Sequence, residues 1–324
     1  MAADPEHATS MPERQFPLTA FAGARPDAPA WFVAALATPK TDGAVEVGGA
    51  TIAWRRWGEA AKISGRRGLV FVHGGVAHLG WWDFIAPFFM ETHTPVALSL
   101  SGMGLSGWRP AYDMATYAGE VAAVAEATGL FAGPDKPLIV GHSFGGFVTL
   151  ATIVAHGARF AGGVVCDSPI RKKEHTGPRA NPRRRGGRVY PDDATALARF
   201  SLMPAQDSAN LFIIDHIARE ALRDAVDERG RPGRAWVHDP DLWLKMAFFP
   251  AEPFEAIAKA AAPFAFVRGE KSVLVDDERW AKMGAYAGPA VPRISIPEAQ
   301  HHLMLDQPLA FVSALRALQA AWPA

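Results

Sequence analysis

The sequence predicts an α/β protein in which a doubly wound, mostly parallel sheet is covered by a helical cap insertion. Two observations lead to this prediction. Short apolar runs recur along the chain and alternate with segments of helical periodicity, which is the rhythm of repeated βαβ units. About ninety residues without a clear strand pattern separate the fourth run from the fifth, and we expect them to form helices over the sheet.

The composition is that of a globular protein without a polyanionic partner. Of the 324 residues, 49% are hydrophobic, and 33 Lys and Arg balance 33 Asp and Glu. Such a chain has no overall positive field, so we expect it to bind neither nucleic acid nor a membrane. Cys166 is the single cysteine and cannot form an internal disulfide, and the first residues do not resemble a secretory signal. We expect a cytoplasmic protein, either a monomer or a homodimer.

The N-terminal segment 1–40 is rich in Pro and Ala and shows no sustained alternation. We expect a loosely packed arm there, with one short helix near Ala30–Ala37. From Val45 to Trp57, apolar and polar residues alternate around the pair Gly48-Gly49. This pattern is typical of a hairpin, which would form an antiparallel edge of the sheet.

Six apolar runs then predict the buried strands of the sheet. They are Gly68–His73, Pro95–Leu100, Pro137–Val140, Gly162–Cys166, Pro263–Val267 and Arg293–Ile296. Helical patterns occur at Tyr117–Leu130 and Phe147–Ala155. The uncharged segment 137–158 is long enough to be considered as a membrane span, but Gly141–Gly146 interrupts it. We therefore predict a strand, a tight turn and a helix in this segment.

These elements divide the chain into an arm at 1–40, an α/β core at 41–168 and 263–324, and a cap at 169–262. Helical patterns in the cap occur at Ala194–Phe200, Leu211–Ala225 and Pro240–Phe249. Residues 171–188 include eight Lys or Arg and one acidic residue. This basic stretch predicts a solvated mobile loop or, alternatively, a positive rim that attracts substrates with a carboxylate.

The segment Gly141-His142-Ser143-Phe144-Gly145 satisfies the pattern G-x-S-x-G between a predicted strand and a predicted helix. A serine on such a turn needs small residues on both sides, and its Oγ is then exposed at the N-terminus of the helix. The alternative is a glycine-rich turn with an incidental serine. Because the strand and the helix are both predicted, we take Ser143 as the candidate nucleophile.

The loop His73-Gly74-Gly75 follows an earlier predicted strand and indicates an oxyanion hole. When a serine attacks a carbonyl, the oxygen becomes negative and needs preorganised N–H donors. These donors are usually the N–H after the nucleophile and one from the loop after an earlier strand. We assign them to Phe144 and Gly75, with Val76 as the alternative to Gly75, and interpret His73 as a residue that shapes the loop.

Two adjacent histidines follow the last predicted strand. A neutral imidazole accepts the proton of the serine and returns it to the leaving group. His301 and His302 cannot both face the serine. We favour His301 as the base and expect His302 to pack into the start of the final helix.

In this order, these motifs resemble those of the α/β-hydrolase superfamily, among its serine esterase-like branches. The resemblance spans about residues 44–324. The segments concerned are His73–Gly75 with Trp81 and Trp82 downstream, Ser101–Ser106, Gly141–Gly146 and His301–Pro308. The resemblance implies the α/β-hydrolase fold and an enzyme that needs no metal and no organic cofactor.

One position departs from the pattern of this superfamily. The acid usually lies three residues after a glycine that follows the strand at Pro263–Val267, and here that position is Ser272. Some members, including certain lipases and haloalkane dehalogenases, have their acid after the preceding strand, where this chain has Asp167. We therefore predict Asp167 as the acid, with Glu270 and Asp276 as alternatives.

The expected function is hydrolysis of a bulky or aromatic carboxylic ester, carboxylate-bearing esters included, through an acyl-enzyme on Ser143. Trp81, Trp82 and Met203 are the candidate pocket residues. The same residues would serve a carbon–carbon bond hydrolase, an acyltransferase or a lyase, and the fold also suits a non-catalytic ligand-binding homologue. In every case the expected partner is a small molecule.

Overall fold

The computed structural model describes residues 15–59, 65–133, 135–170, 187–247 and 258–322. The strands in these ranges are β1 Lys40–Val47, β2 Ala50–Trp57, β3 Arg67–Val72, β4 His93–Leu98, β5 Leu138–His142, β6 Gly162–Cys166, β7 Leu222–Val226, β8 Pro232–Trp236, β9 Phe264–Gly269 and β10 Arg293–Ile296. The helices in the same ranges are α1 Ala30–Leu36, α2 Met114–Ala127, α3 Phe144–His156, α4 Asp193–Leu197, α5 Leu211–Glu220, α6 Leu242–Lys245, α7 Asp277–Ala287, α8 Leu303–Asp306 and α9 Pro308–Ala320.

Eight of these strands form one sheet in the order β1-β2-β4-β3-β5-β6-β9-β10. β1 pairs antiparallel with β2, and β2 pairs antiparallel with β4. All the other neighbours in the sheet are parallel. The prediction of a doubly wound, mostly parallel sheet with an antiparallel edge is therefore confirmed.

Both faces of the sheet are covered. Successive residues of β3 face opposite sides, so Leu69 and Phe71 join an apolar cluster with α5 and α9, whereas Val70 and Val72 join one with α2 and α3. Burial on both faces explains why the central strands are continuous apolar runs in the sequence rather than alternating ones.

The parallel strands bring four loops to one edge of the sheet. β3 pairs with β5, β5 with β6, β6 with β9, and β9 with β10, all in parallel. Their carboxyl ends therefore lie together, which is where open α/β sheets bind ligands. The loops that follow β3, β5, β6 and β10 contain Gly75, Ser143, Asp167 and His301, respectively.

The segment between β6 and β9, called the insertion below, is not purely helical. It contains α4, α5 and α6, but β7 and β8 pair as an antiparallel hairpin, so the expectation of no strand at 169–262 is wrong. The hairpin strands are largely exposed and show little apolar alternation, and this explains why the sequence pattern does not reveal them. Residues 171–186 and 248–257 lie outside the described residues, and most of the basic stretch 171–188 is among them.

The N-terminal segment contacts the core at a few positions. Helix α1 confirms the helix expected near Ala30–Ala37. Leu18 and Phe32 are buried, and the centroid of the Phe32 ring lies 4.8 Å from that of Phe212 in α5. From residue 15 onward, most residues of the segment are exposed, and a few irregularly spaced apolar side chains attach it to the core.

Among the described helices, none has the length and apolar character needed to cross a membrane. The apolar stretch that raised this question divides at Ser143 into β5 and α3. α3 has 13 residues and therefore spans about 20 Å, against roughly 30 Å for the hydrocarbon core of a bilayer.

Candidate active site

Ser143 lies on the tight turn between β5 and α3. Its φ is 53°, in the left-handed region that residues other than glycine rarely adopt. Its backbone N–H donates to the carbonyl of Cys166 at 2.7 Å, which holds the turn against β6. A side chain at Gly145 would overlap the carbonyl oxygens of Val72 and His73. The glycines of the motif thus allow the close packing that presents the hydroxyl at the sheet edge.

The imidazole of His301 joins Ser143 to Asp167. Its Nε2 lies 3.0 Å from the Oγ of Ser143, and its Nδ1 lies 2.8 Å from Oδ1 of Asp167. A carboxylate only accepts hydrogen bonds, so Nδ1 bears the proton and Nε2 presents its lone pair to the hydroxyl. The structure thus brings the three sequence-predicted residues together in one hydrogen-bonded chain.

Asp167 is held by donors from the neighbouring strand and its loop. The N–H of Gly269, at the end of β9, donates to Oδ2 at 2.7 Å, and the hydroxyl of Ser272 donates to Oδ1 at 2.6 Å. The carboxylate is almost fully buried, so these donors replace the water that it would otherwise bind. Its orientation toward His301 is therefore fixed by β9 as well as by its own strand.

The two alternative acids lie away from His301. Glu270 is exposed and accepts a hydrogen bond from the N–H of Glu298 at 3.0 Å. Asp276 caps α7 by accepting from the N–H of Arg279 at 2.8 Å. Among the described contacts of His301, Asp167 supplies the carboxylate, and neither alternative does.

Gly75 lines the same cavity as Ser143, and Phe144 directly follows the serine. A methyl group added to Gly75 would lie 3.7 Å from the Cβ of Phe144, so the two backbone segments are adjacent. Within the described residues, neither N–H donates to a protein acceptor. Phe144 is the first residue of α3, where N–H groups are free of intrahelical bonds and favour negative charge.

His73 shapes the loop that contains Gly75, as the sequence predicts. Its Nε2 accepts from the N–H of Leu100 at 3.0 Å, and its Nδ1 donates to the carbonyl of Gly74 at 2.7 Å. Burial lowers the pKa of His73 to about 3, so the ring stays neutral and keeps this pair of bonds. Val76, the alternative donor, has a positive φ of 53° and directs its N–H to the sulfur of Met103 at 3.2 Å.

A cavity of about 80 Å³ opens beside Ser143. Trp81 and Met203 line it, and Met203 is 64% exposed and thus marks the boundary with solvent. The expectation that Trp82 lines the pocket is wrong. Its ring is fully buried and stacks on Phe71, with centroids 4.8 Å apart, because the short helical turn that contains both tryptophans points one toward the cavity and the other into the core.

His142 and His302 also line the cavity. The Nε2 of His142 donates to the carbonyl of His301 at 2.9 Å. Burial, with the nearby His301, lowers the pKa of both His142 and His302 well below the usual value, so both rings are neutral. The sequence predicts that His302 packs into the start of the final helix. Its backbone does precede α8, but its ring forms part of the cavity wall, 5.3 Å from that of Trp81 between centroids.

The His301 loop is held by residues that no sequence motif singles out. Gln206 of the insertion accepts from the N–H of His302 at 2.8 Å and donates to Asp306, which also accepts from the N–H of Gln300 at 2.8 Å. Gln206 has no local sequence signal, because its partners are about a hundred residues away. Ser272, which holds Asp167, did have a sequence signal, because it occupies the position where the superfamily usually has its acid.

Comparison with known proteins identifies the family. The family model described as the alpha/beta hydrolase family matches residues 69–315. No curated protein matches the chain by sequence.

Among solved structures, the chain is similar to E-2-(acetamidomethylene)succinate hydrolase, with a TM-score of 0.68 and 19% identity over 87% of this chain and 100% of that one. A thioesterase domain from the curacin biosynthetic pathway gives a TM-score of 0.66 and 20% identity over 86% of this chain and 99% of that one. An esterase from Mycobacterium tuberculosis gives 0.61 and 20% over 94% of this chain and 96% of that one. At these identities the structures support the fold, and the family match covers most of the sequence. This chain belongs to the alpha/beta hydrolase family.

Proposed function

We propose that this protein is a serine hydrolase that cleaves carboxylic esters through an acyl-enzyme on Ser143. The observation that supports the proposal best is the hydrogen-bonded chain from the Ser143 hydroxyl through His301 to Asp167, with distances of 3.0 and 2.8 Å. A hydroxyl on a strained turn, an imidazole base and a buried carboxylate are the parts that nucleophilic acyl transfer needs.

The reaction follows from this geometry. The Oγ of Ser143 attacks the carbonyl carbon of the ester while Nε2 of His301 accepts its proton. The N–H groups of Gly75 and Phe144 stabilise the negative oxygen that forms. The imidazolium then gives its proton to the departing alcohol, and Asp167 stabilises the imidazolium through Nδ1–H. A water molecule repeats the sequence on the acyl-enzyme and releases the acid, and no step needs a metal or an organic cofactor.

The size of the cavity bears on the substrate. A cavity of roughly 150 Å³ holds a benzene ring, and the space beside Ser143 is about 80 Å³. We therefore propose that a short acyl group enters the cavity. The bulky or aromatic part of the ester would then lie toward solvent, against the exposed side chain of Met203. The similarity to an esterase, a thioesterase domain and a succinate-derivative hydrolase supports an acyl substrate in general.

Covalent labelling tests the mechanism. A fluorophosphonate probe should label the native protein at Ser143, and Ser143→Ala should remove both the label and the turnover. Ser201→Ala, which removes another serine that lines the cavity, is the matched control and should still be labelled. A native protein that stays unlabelled after long incubation would support a ligand-binding role and contradict the proposal.

A series of p-nitrophenyl esters tests the substrate. We expect kcat/KM to be highest for the acetate and propionate and to fall for longer acyl chains. Equal rates across all acyl lengths would contradict the proposed role of the cavity.

Esters with a free carboxylate, measured at low and high salt, test the contribution of the basic stretch 171–188.

A further inference from the structure

We propose that His142, His301 and His302 form a binding site for a first-row transition-metal ion of the Zn²⁺ type, and that an ion bound there inhibits the enzyme. The ligand atoms of the three imidazoles lie within 4.8 Å of one another, and all three residues are buried. The centroids of the rings are 4.9 Å apart for His142 and His301, 4.8 Å for His301 and His302, and 5.6 Å for His142 and His302. A set of three histidines is a common ligand set for zinc.

The hydrogen bonds fix which nitrogen is free to bind a metal. The Nε2 of His142 faces the carbonyl of His301, which only accepts, so Nε2 bears the proton and Nδ1 has the lone pair. The Nδ1 of His301 faces the carboxylate of Asp167, so Nε2 has the lone pair. Nδ1 of His142 and both ring nitrogens of His302 lack a hydrogen-bond partner among the described residues. Buried polar atoms without partners are uncommon and call for a ligand or an ion.

The site is buried but reachable. His142 is 1% exposed and His302 is 5% exposed, yet both line the cavity beside Ser143. An ion would enter by the same path as the substrate. Bonds of about 2.0–2.1 Å in a tetrahedral site place nitrogen ligands about 3.3 Å apart. A rotation of the His302 ring, which packs against Trp81 and the other two imidazoles, would bring its ligand atom to this distance.

Inhibition follows from the identity of the third ligand, and this part rests on the proposed function. The lone pair of His301 Nε2, which accepts the proton of Ser143, is the lone pair that the metal would bind. An imidazole coordinated to a metal through this nitrogen cannot act as a base there. Occupation of the site and formation of the acyl-enzyme are therefore mutually exclusive.

The chemistry of the site selects the ion. Imidazole nitrogens suit Zn²⁺, Cu²⁺, Ni²⁺ and Co²⁺, whereas Mg²⁺ and Ca²⁺ require oxygen ligands. The acid nearest the cluster, Asp167, is already bound by Gly269, Ser272 and His301 and is expected to orient the His301 ligand rather than to bind the ion itself.

Direct binding is the primary test. The protein, treated with a chelator and desalted, is titrated with Co²⁺, and the visible absorption of a tetrahedral complex is recorded. We expect saturation at one ion per chain, displacement by Zn²⁺ and no displacement by Mg²⁺. His302→Phe should weaken the binding of Co²⁺ by at least about tenfold. His156→Phe, which removes an imidazole at the far end of α3, is the control and should leave the affinity within about twofold.

Two further measurements separate this proposal from the proposed function. Ser143→Ala should still bind Co²⁺, so the site remains testable if the esterase assignment fails. With an ester substrate, Zn²⁺ should lower the rate of the native protein, and the concentration needed for half-inhibition should rise at least about tenfold in His302→Phe, each variant compared with its own uninhibited rate. Binding of Co²⁺ that His302→Phe does not change, or no saturable binding at all, overturns the proposal.

Discussion

Asp167 shows how a single residue gains a role through its neighbours. It follows β6, whereas Ser272 and Gly269, which hold its carboxylate, belong to β9 and the loop after it. β6 and β9 are adjacent and parallel, so an acid that follows either strand reaches the same histidine. Ser272, at the position where the superfamily usually has its acid, thus donates to the carboxylate that follows the neighbouring strand.

The assignment of the acid is tested by three substitutions that each remove one negative charge. Asp167→Asn should lower kcat by about 10³- to 10⁴-fold, because the amide no longer stabilises the imidazolium. Glu270→Gln and Asp276→Asn should leave the rate nearly unchanged, since neither carboxylate contacts His301. The rate of p-nitrophenyl acetate hydrolysis measures the effect. Near-normal activity of Asp167→Asn together with collapse of another variant would show that the acid lies elsewhere.

Ser272 is predicted to act through Asp167 as a positioning residue. Ser272→Ala removes a 2.6 Å hydrogen bond to the carboxylate and should lower kcat by about tenfold with little change in KM, because Ser272 does not line the cavity. Ser272→Thr retains the hydroxyl and should recover most of the rate. Ser313→Ala, on the exposed side of α9, is the control for a lost serine hydroxyl. A rise in KM together with a fall in kcat for both Ser272 variants would indicate general damage to the site instead.

At the scale of elements, α5 ties the insertion to the core through buried polar contacts. The carboxylate of Asp83 is fully buried and accepts from Arg55 of β2 at 2.8 Å and from His216 of α5 at 2.9 Å. Burial by itself would raise the pKa of Asp83, but His216 and Arg55, helped by Lys40, hold it below the usual value. The hairpin β1–β2, the core and the insertion thus meet at one ionised group.

Loss of this charge should destabilise the protein. Asp83→Asn removes the fully buried carboxylate that Arg55 contacts, while Asp42 and Glu220 still contact the guanidinium, so we expect the free energy of unfolding to fall by about 1–3 kcal/mol. Asp224→Asn makes the same chemical change where the side chain is 97% exposed, and it should alter stability by no more than about 0.5 kcal/mol. Urea unfolding of both variants measures the difference. Equal stability of the two variants would contradict a structural role for Asp83.

The elements also show where sequence reasoning succeeds. Buried parallel strands are continuous apolar runs, so β3, β4, β5, β6 and β9 are predictable to within a few residues, and their order fixes which loops meet. The hairpin β7–β8 is not, because exposed strands show no apolar pattern. Ser143 and His301 lie in short sequence motifs, so they can be predicted from the sequence. The contacts of Gln206 depend on tertiary packing, so no local sequence pattern predicts them.

At the scale of the molecule, buried neutral histidines link stability to pH. Burial lowers the pKa of His73 to about 3 and that of His78 and His93 to about 4. In the unfolded chain these groups bind protons below about pH 6.5, whereas in the folded protein they do not until the pH is far lower. The unfolded state therefore gains protons first as the pH falls, and stability is lost below pH 6.5.

The expected loss is about 2 kcal/mol for each of these histidines between pH 7 and pH 5. Urea unfolding at pH 7, 6 and 5 measures it. His93→Gln should reduce the loss over this interval by about 2 kcal/mol. A stability that stays constant from pH 7 to pH 5 would contradict the buried neutral state of these rings.

The sole cysteine of the chain is buried, which makes the folded protein suitable for site-specific labelling at an introduced cysteine. Cys166 is fully buried at the end of β6, and burial, with the adjacent Asp167, raises the pKa of its thiol well above the usual value. Maleimide reagents need an accessible thiolate, so the folded protein should not react with them. A cysteine introduced at the exposed position 203, as Met203→Cys, would then be the single attachment point for a fluorophore, and its emission would report ligand entry at the cavity mouth without removal of the native thiol.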